Sequence, residues 1–210
     1  MVARILRMNF NKLKSAEANF LQMFPAGFED EGLVEVRKRH NLTKMNQLAL
    51  EVFREENFYV ADQFLKGLVK VVSGSSMLSM FEKPKFRDMI SSLNSAEKEL
   101  LTSYYRELFH GDKENAFDAI VDILAFHKMA KWSVVTISMS YYRPESEVFI
   151  KPTTTKKIIS ELGLNLIYRP RPTWSFYERY REIVLEIKKN VRSSLSPNNA
   201  ALTGFLMIAL

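Results

Sequence analysis

The chain of 210 residues contains no cysteine, and it has only seven glycines and seven prolines. The absence of cysteine excludes disulfides, thiolate nucleophiles and cysteine-ligated metal centres. So little glycine and proline, together with 47% hydrophobic residues, excludes a low-complexity or disordered chain over most of the length. A chain of this size can bury enough apolar surface to fold around a hydrophobic core of its own.

Signals for membrane insertion and export are not seen either. The longest nearly apolar stretch, residues 200–210, is about half as long as the ~18 residues that a membrane helix requires. Residues 8–14 lack the apolar core of a secretory signal. We therefore expect a soluble, cytoplasmic protein with no membrane partner.

Hydrophobic residues recur with a helical period up to about residue 131. Met45, Leu48 and Ala49, for example, follow the i, i+3, i+4 pattern of one helix face. This period predicts about seven helices in the first part of the chain. Side chains typical of helix N-caps precede several of them, at Thr43, Ser95 and Asp112.

The period changes at Trp132. From Val135 to Tyr142 apolar and polar residues alternate, which is the pattern of a half-buried strand. Residues 148–150 predict a returning strand, and residues 164–168 a third short one. We therefore predict a mainly α fold with α+β character, in which about seven N-terminal helices precede a small β-sheet and three helices in the C-terminal third.

The domain prediction is a single domain, 1–210. The change of period marks a soft boundary near 131/132, which would separate an α-helical part (1–131) from a basic mixed α/β part (132–210). From Arg143 to the C-terminus there are eleven basic and six acidic residues, whereas the whole chain carries a net charge of +6. Positive charge concentrated in one part of a protein attracts anionic partners.

The first basic segment contains Lys151, Thr153, Thr154, Lys156 and Lys157, and it is predicted to open a helix directly after a strand. Free backbone N–H groups and the positive end of the helix dipole favour an anion at such a point. Threonine hydroxyls can donate to phosphate oxygens, and the lysines add charge. The alternative is ordinary N-capping by threonine beside solvated lysines.

The second basic segment contains Arg169 and Arg171, each followed by proline, and then Trp174. Alternating proline holds a backbone extended, so that two guanidinium groups would project from a stiff segment. Arginine suits bidentate contacts with phosphate, and an indole ring can stack on a base. The alternative is a rigid connector whose arginines pair with nearby glutamates.

We therefore predict a non-enzymatic protein whose basic C-terminal face binds an anionic partner, with nucleic acid as the first choice and no cofactor or metal. One alternative is a protein–protein interaction module, such as a homodimer, with the apolar helix 200–210 at the interface. A second alternative is an enzyme of unknown class with its site in a helical cleft. The residues that favour an enzyme are the carboxylates at one helix face and one Glu-x-x-His pair: Glu114, Asp118, Asp122, Glu107 and His110.

Overall fold

A computed structural model describes residues 8–210 of the chain. This part folds into α-helices joined by short connections and four 3-10 helices. The α-helices are α1 (Phe10–Met23), α2 (Val34–His40), α3 (Leu42–Val52), α4 (Ala61–Gly74), α5 (Glu82–Ser92), α6 (Ser95–His110), α7 (Lys113–Phe126), α8 (Trp132–Tyr142), α9 (Pro152–Glu161), α10 (Trp174–Lys189) and α11 (Asn199–Ala209).

The predicted β-sheet is wrong, because residues 8–210 contain no strand. The alternating segment after Trp132 forms α8, in which every residue from Trp132 to Tyr141 is buried. Its polar positions are small hydroxyl residues that bond to their own helix: Thr136 donates to the carbonyl of Trp132 at 2.7 Å, and Ser140 donates to that of Ile137 at 2.8 Å. A helix enclosed on all sides needs no polar face, so its sequence carries no helical period.

The two other predicted strands, 148–150 and 164–168, are irregular segments without a strand partner. Residues 148–150 are buried, and side chains satisfy two of their backbone N–H groups. The N–H of Val148 donates to the hydroxyl of Tyr177 at 3.2 Å, and that of Ile150 donates to Thr136 Oγ1 at 3.0 Å. Hydrogen bonds from neighbouring helices thus replace the ladder that a sheet would have supplied.

The predicted helix starts are partly confirmed. Asp112 caps α7, as the sequence predicted, and accepts hydrogen bonds from the N–H groups of Glu114 and Asn115. The predictions at Thr43 and Ser95 were wrong by one or two residues, because Asn41 caps α3 and Asn94 caps α6. Asparagine caps helices as well as serine and threonine do, so neighbouring positions compete.

The C-terminal helix α11 packs against α1, α9 and α10, and its Leu202, Phe205 and Leu206 are fully buried. Helix α8 packs against α3 and α4, so it contacts helices that lie far before it in the chain. None of the helices in the described residues combines the length and the apolar character needed to traverse a membrane.

Candidate anion-binding cavity

A cavity of about 540 Å³ lies where α2, α3, α9, α10 and α11 meet the loop at residues 76–77. Its volume is in the range of pockets that hold small organic ligands, about 300–1,000 Å³. One wall is a face of α11 that extends from Ala200 to Ile208. The rest of the lining includes Phe28, Leu33, Val36, Arg37, Arg39, His40, Met77, Phe149 and Lys151.

The N-termini of three helices border this cavity: Leu42 and Thr43 open α3, Thr154 lies in the first turn of α9, and Ala200 opens α11. The backbone N–H groups at helix N-termini and the aligned peptide dipoles make such ends electropositive. Asparagine side chains cap α3 and α11. Helix α9 has no side-chain cap, and Pro152 is its first residue. Because Pro152 has no N–H and the N–H of Thr155 donates to the carbonyl of Lys151, the N–H groups of Thr153 and Thr154 are the ones at this helix start without a partner in the described residues.

Basic side chains outnumber acidic ones in the cavity lining. Arg37, Arg39, His40 and Lys151 face a single carboxylate, Glu29. Arg37 is held in place by the backbone carbonyls of Phe28 and Asp30. No ion pair forms at Arg39 or Lys151 within residues 8–210, so both charges remain available to an anion.

His40 lies near two of the cations that line the cavity, Arg39 and Lys151. Its Nδ1 lies 2.8 Å from Ser76 Oγ, which leaves Nε2 for another partner. Burial, and then the positive charges of Arg39 and Lys151, hold the pKa of His40 below its ordinary value of 6.5. The imidazole is therefore neutral at pH 7, in a positive potential that an anion would cancel.

Tyr180 borders the cavity but is fully buried, and its hydroxyl, which has no hydrogen-bond partner in the described residues, is itself enclosed by other side chains. Burial raises the pKa of Tyr180 to about 12, so the hydroxyl stays protonated and can donate. The nearby Thr155 side chain offsets part of this rise in the pKa of Tyr180. The two hydroxyl groups do not have the geometry of a hydrogen bond. An unsatisfied buried donor costs about 1–3 kcal/mol, and a bound acceptor recovers it only if the side chains that enclose this hydroxyl move aside.

The structure places two residues of the first predicted basic segment, Lys151 and Thr154, at the cavity. Thr153 is exposed beside them. Lys156 and Lys157 are engaged elsewhere: Lys156 Nζ lies 4.9 Å from the centre of the Tyr168 ring, and Lys157 Nζ donates to the carbonyl of Met207 at 3.1 Å. Only one end of the segment therefore contributes to the cavity.

The second predicted segment does not line the cavity. Arg171 forms an ion pair with Asp122 at 2.6 Å, and the carbonyl of Arg169 accepts from the indole N–H of Trp132 at 2.8 Å. Trp174 is buried against Phe117, and no open face of its ring is available for stacking on a base. These residues attach the segment to α7 and α8.

Most of the side chains that favoured an enzyme form hydrogen bonds with backbone groups of neighbouring segments. Asp118 accepts the backbone N–H of Trp174 at 2.9 Å, Glu107 accepts that of Asp112 at 3.2 Å, and His110 Nε2 lies 2.8 Å from the carbonyl of Phe53. Glu114 lies in the first turn of α7, next to its cap. Within residues 8–210 no three histidine, aspartate or glutamate side chains are grouped in a way that could hold a metal ion.

The sequence analysis missed Arg39, His40 and Tyr180. The signal for the first two was the run of basic residues from Arg37 to His40 directly before the Asn41 cap. Tyr180 gave no signal, since it falls on the apolar face of α10 and reads as an ordinary core residue. Only the tertiary structure shows that this residue borders a cavity.

Protein-family models, curated proteins and solved structures were compared with the chain, and none of them matches it. The cavity lining combines basic side chains with apolar ones.

Proposed function

We propose that this protein binds a small organic anion in the cavity between α2, α9 and α11. The observation that carries this proposal is the meeting of three helix N-termini with Arg39 and Lys151, two cations that have no ion-pair partner in the described residues. Both side chains are exposed, and cations gathered around one concave site attract anions more strongly than the same charges spread over a surface.

The unpaired hydroxyl of Tyr180 supports the proposal independently. Helix dipoles and cations favour negative charge but do not require a ligand. A buried donor without an acceptor does require an explanation, and an anion bound at the start of α9 supplies the acceptor.

Nucleic acid, the first choice from the sequence, remains a candidate partner, but fewer observations support it. Surface binding needs several cations on one face. Of the predicted cations, Arg171 is paired with Asp122 and Lys157 is bonded to a carbonyl, which leaves fewer free charges than the sequence suggested. Lys151, Lys156 and Arg169 have no ion-pair partner in the described residues, and of these three Lys151 lines the cavity.

The test is an equilibrium titration with the fluorescent anion anilinonaphthalene sulfonate, at low and moderate salt. We expect the Lys151→Gln variant to bind it about tenfold more weakly, which is the loss of one charge-assisted hydrogen bond. Lys156→Gln is the matched control, because it removes the same charge from the same helix outside the cavity, and we expect it to bind as the unchanged protein does.

Equal affinities of the two variants would contradict the proposal. A parallel titration with a single-stranded oligonucleotide tests the competing partner. If oligonucleotide binding falls steeply with salt and is weakened alike by Lys156→Gln and Arg169→Gln, the predicted basic segments bind nucleic acid and the cavity is not the site.

A further inference from the structure

We infer that the anion is amphipathic, with a single charged head held at the start of α9 and an apolar body lying along α11. This inference rests on the proposed function and names its ligand class. It follows from how polar and apolar groups are distributed around the cavity.

The head position is defined by groups that meet near the first turn of α9. Lys151 directly precedes α9, Thr154 lies in its first turn, and the Tyr180 hydroxyl lies near Thr155, one residue further on. His40 is close enough to Lys151 for its pKa to be lowered by that charge. A carboxylate or a similar head could therefore accept from Tyr180 while pairing with Lys151.

The body position is defined by α11. One face of α11 lines the cavity, and its residues recur at helical spacing: Ala200, Ala201, Gly204, Met207 and Ile208. From Ala200 to Ile208 this face is about 12 Å long, at ~1.5 Å per residue. It carries no charged side chain, and this part of the cavity, called the trough below, is bordered at Gly204 by the ring of Phe28.

Large apolar side chains around the trough are left in contact with water. Val36, Met207 and Ile208 are 40%, 46% and 42% exposed, although all three border the cavity. An inorganic anion would satisfy the cations but leave these side chains uncovered. A ligand with an apolar body buries them as well, and this favours an amphipathic anion over phosphate or sulfate.

Gly204 gives the means to test the trough. A Cβ atom added there would lie 3.5 Å from Phe28, an ordinary contact, so Gly204→Ala fits without strain. The outer carbons of a leucine at the same position would meet the Phe28 ring and occupy the space beside it. Both changes favour the helix over glycine, and thermal unfolding of each variant checks that the protein still folds with the larger side chain beside Phe28.

The experiment measures binding of acetate, hexanoate and decanoate by calorimetry, with inorganic phosphate as the anion that has no apolar body. We expect the affinity to rise about threefold to fourfold for each added methylene group, since each buries apolar area. Gly204→Leu should weaken decanoate binding by at least tenfold, whereas Gly204→Ala should leave it within about twofold.

The outcomes separate the two proposals. If acetate, decanoate and phosphate bind equally and Lys151→Gln weakens all three, the cavity binds anions but the inference about an apolar body is wrong. If none of them binds, both proposals fail together. If the protein ignores dissolved decanoate but sediments with phosphatidylserine vesicles, the charged head belongs to a bilayer lipid, and the assignment of a dissolved ligand is overturned.

Discussion

Tyr177 donates its hydroxyl hydrogen to Glu147 at 2.8 Å, and both residues are buried. Burial first, and then the charge of Glu147, hold the pKa of Tyr177 well above its ordinary value, so the donor stays protonated. The second oxygen of Glu147 pairs with Lys113 at 2.7 Å. This network fixes the irregular segment before α9 and thus the start of the helix that forms the cavity.

We expect Glu147→Gln to lower the free energy of unfolding by about 2–3 kcal/mol, because it leaves Lys113 without its charged partner and weakens the bond from Tyr177. The cost stays below that of breaking a fully buried pair, since the Lys113 side chain is 30% exposed and can regain water. Urea denaturation followed by circular dichroism measures the change.

The matched control is Glu145→Gln, two residues earlier. Glu145 pairs with Lys188 at the surface, where its side chain is 65% exposed. Surface pairs of this kind contribute about 0–1 kcal/mol. Equal effects of the two substitutions would show that the buried network does not stabilise the fold as described.

Two tyrosines on α10 should respond in opposite ways to the loss of a hydroxyl. Tyr177→Phe removes the donor to Glu147 and the acceptor for Val148, so it should destabilise the free protein by about 1–3 kcal/mol. Tyr180→Phe removes a hydroxyl without a partner in the described residues, so the free protein should be as stable or more stable.

The same Tyr180→Phe variant should bind the anion more weakly, about fivefold to tenfold for one lost hydrogen bond. Thermal unfolding and ligand titration on one set of samples measure both effects. Destabilisation of the free protein together with unchanged binding would mean that the hydroxyl serves the core and not the ligand.

We expect the hydroxyl of Thr136 to stabilise the fold, although this residue lies in an apolar helix. Thr136→Val has nearly the same shape but leaves the N–H of the buried Ile150 without an acceptor, and we expect a loss of about 1–3 kcal/mol. Hydrogen exchange of the Ile150 amide should accelerate. The exposed Thr153→Val is the control, and slow exchange at Ile150 in the Thr136 variant would contradict the role given to this hydroxyl.

Acidification should destabilise the free protein through His40. Because the folded pKa lies below 6.5, the unfolded chain takes up the proton first, and stability is lost as the pH falls from about 6.5 through the lowered folded value. A bound anion cancels the positive potential and raises that pKa, so anion affinity should increase over the same range. His40→Gln should remove both dependences, and an unchanged pH profile in this variant would assign them to other groups.

The helical part of the fold could be predicted from sequence wherever a helix has one apolar face, as α3 and α7 do. Helix α8 could not, because its serines and threonines bond to their own backbone and lie buried, so that the usual meaning of a polar position is lost. The alternation of apolar and polar residues in this segment resembled a strand, but it belongs to a helix that other helices enclose.

The site was predictable only in part. Lys151 and Thr154 were indicated because they open a helix in a basic segment, and that is a local property. Arg39 and His40 lie more than a hundred residues away in the chain, and Tyr180 lies on an otherwise apolar face. Which of these groups face one cavity depends on how α2, α9 and α10 pack, and no local pattern encodes it.

The most direct test of the cavity assignment is a backbone amide NMR titration of the protein with decanoate. The account predicts saturable shifts that are confined to the start of α9 and the cavity face of α11, above all at Thr154, Ala201 and Gly204. Shifts centred on Arg169 and Arg171, or no shifts at any concentration below micelle formation, would contradict it.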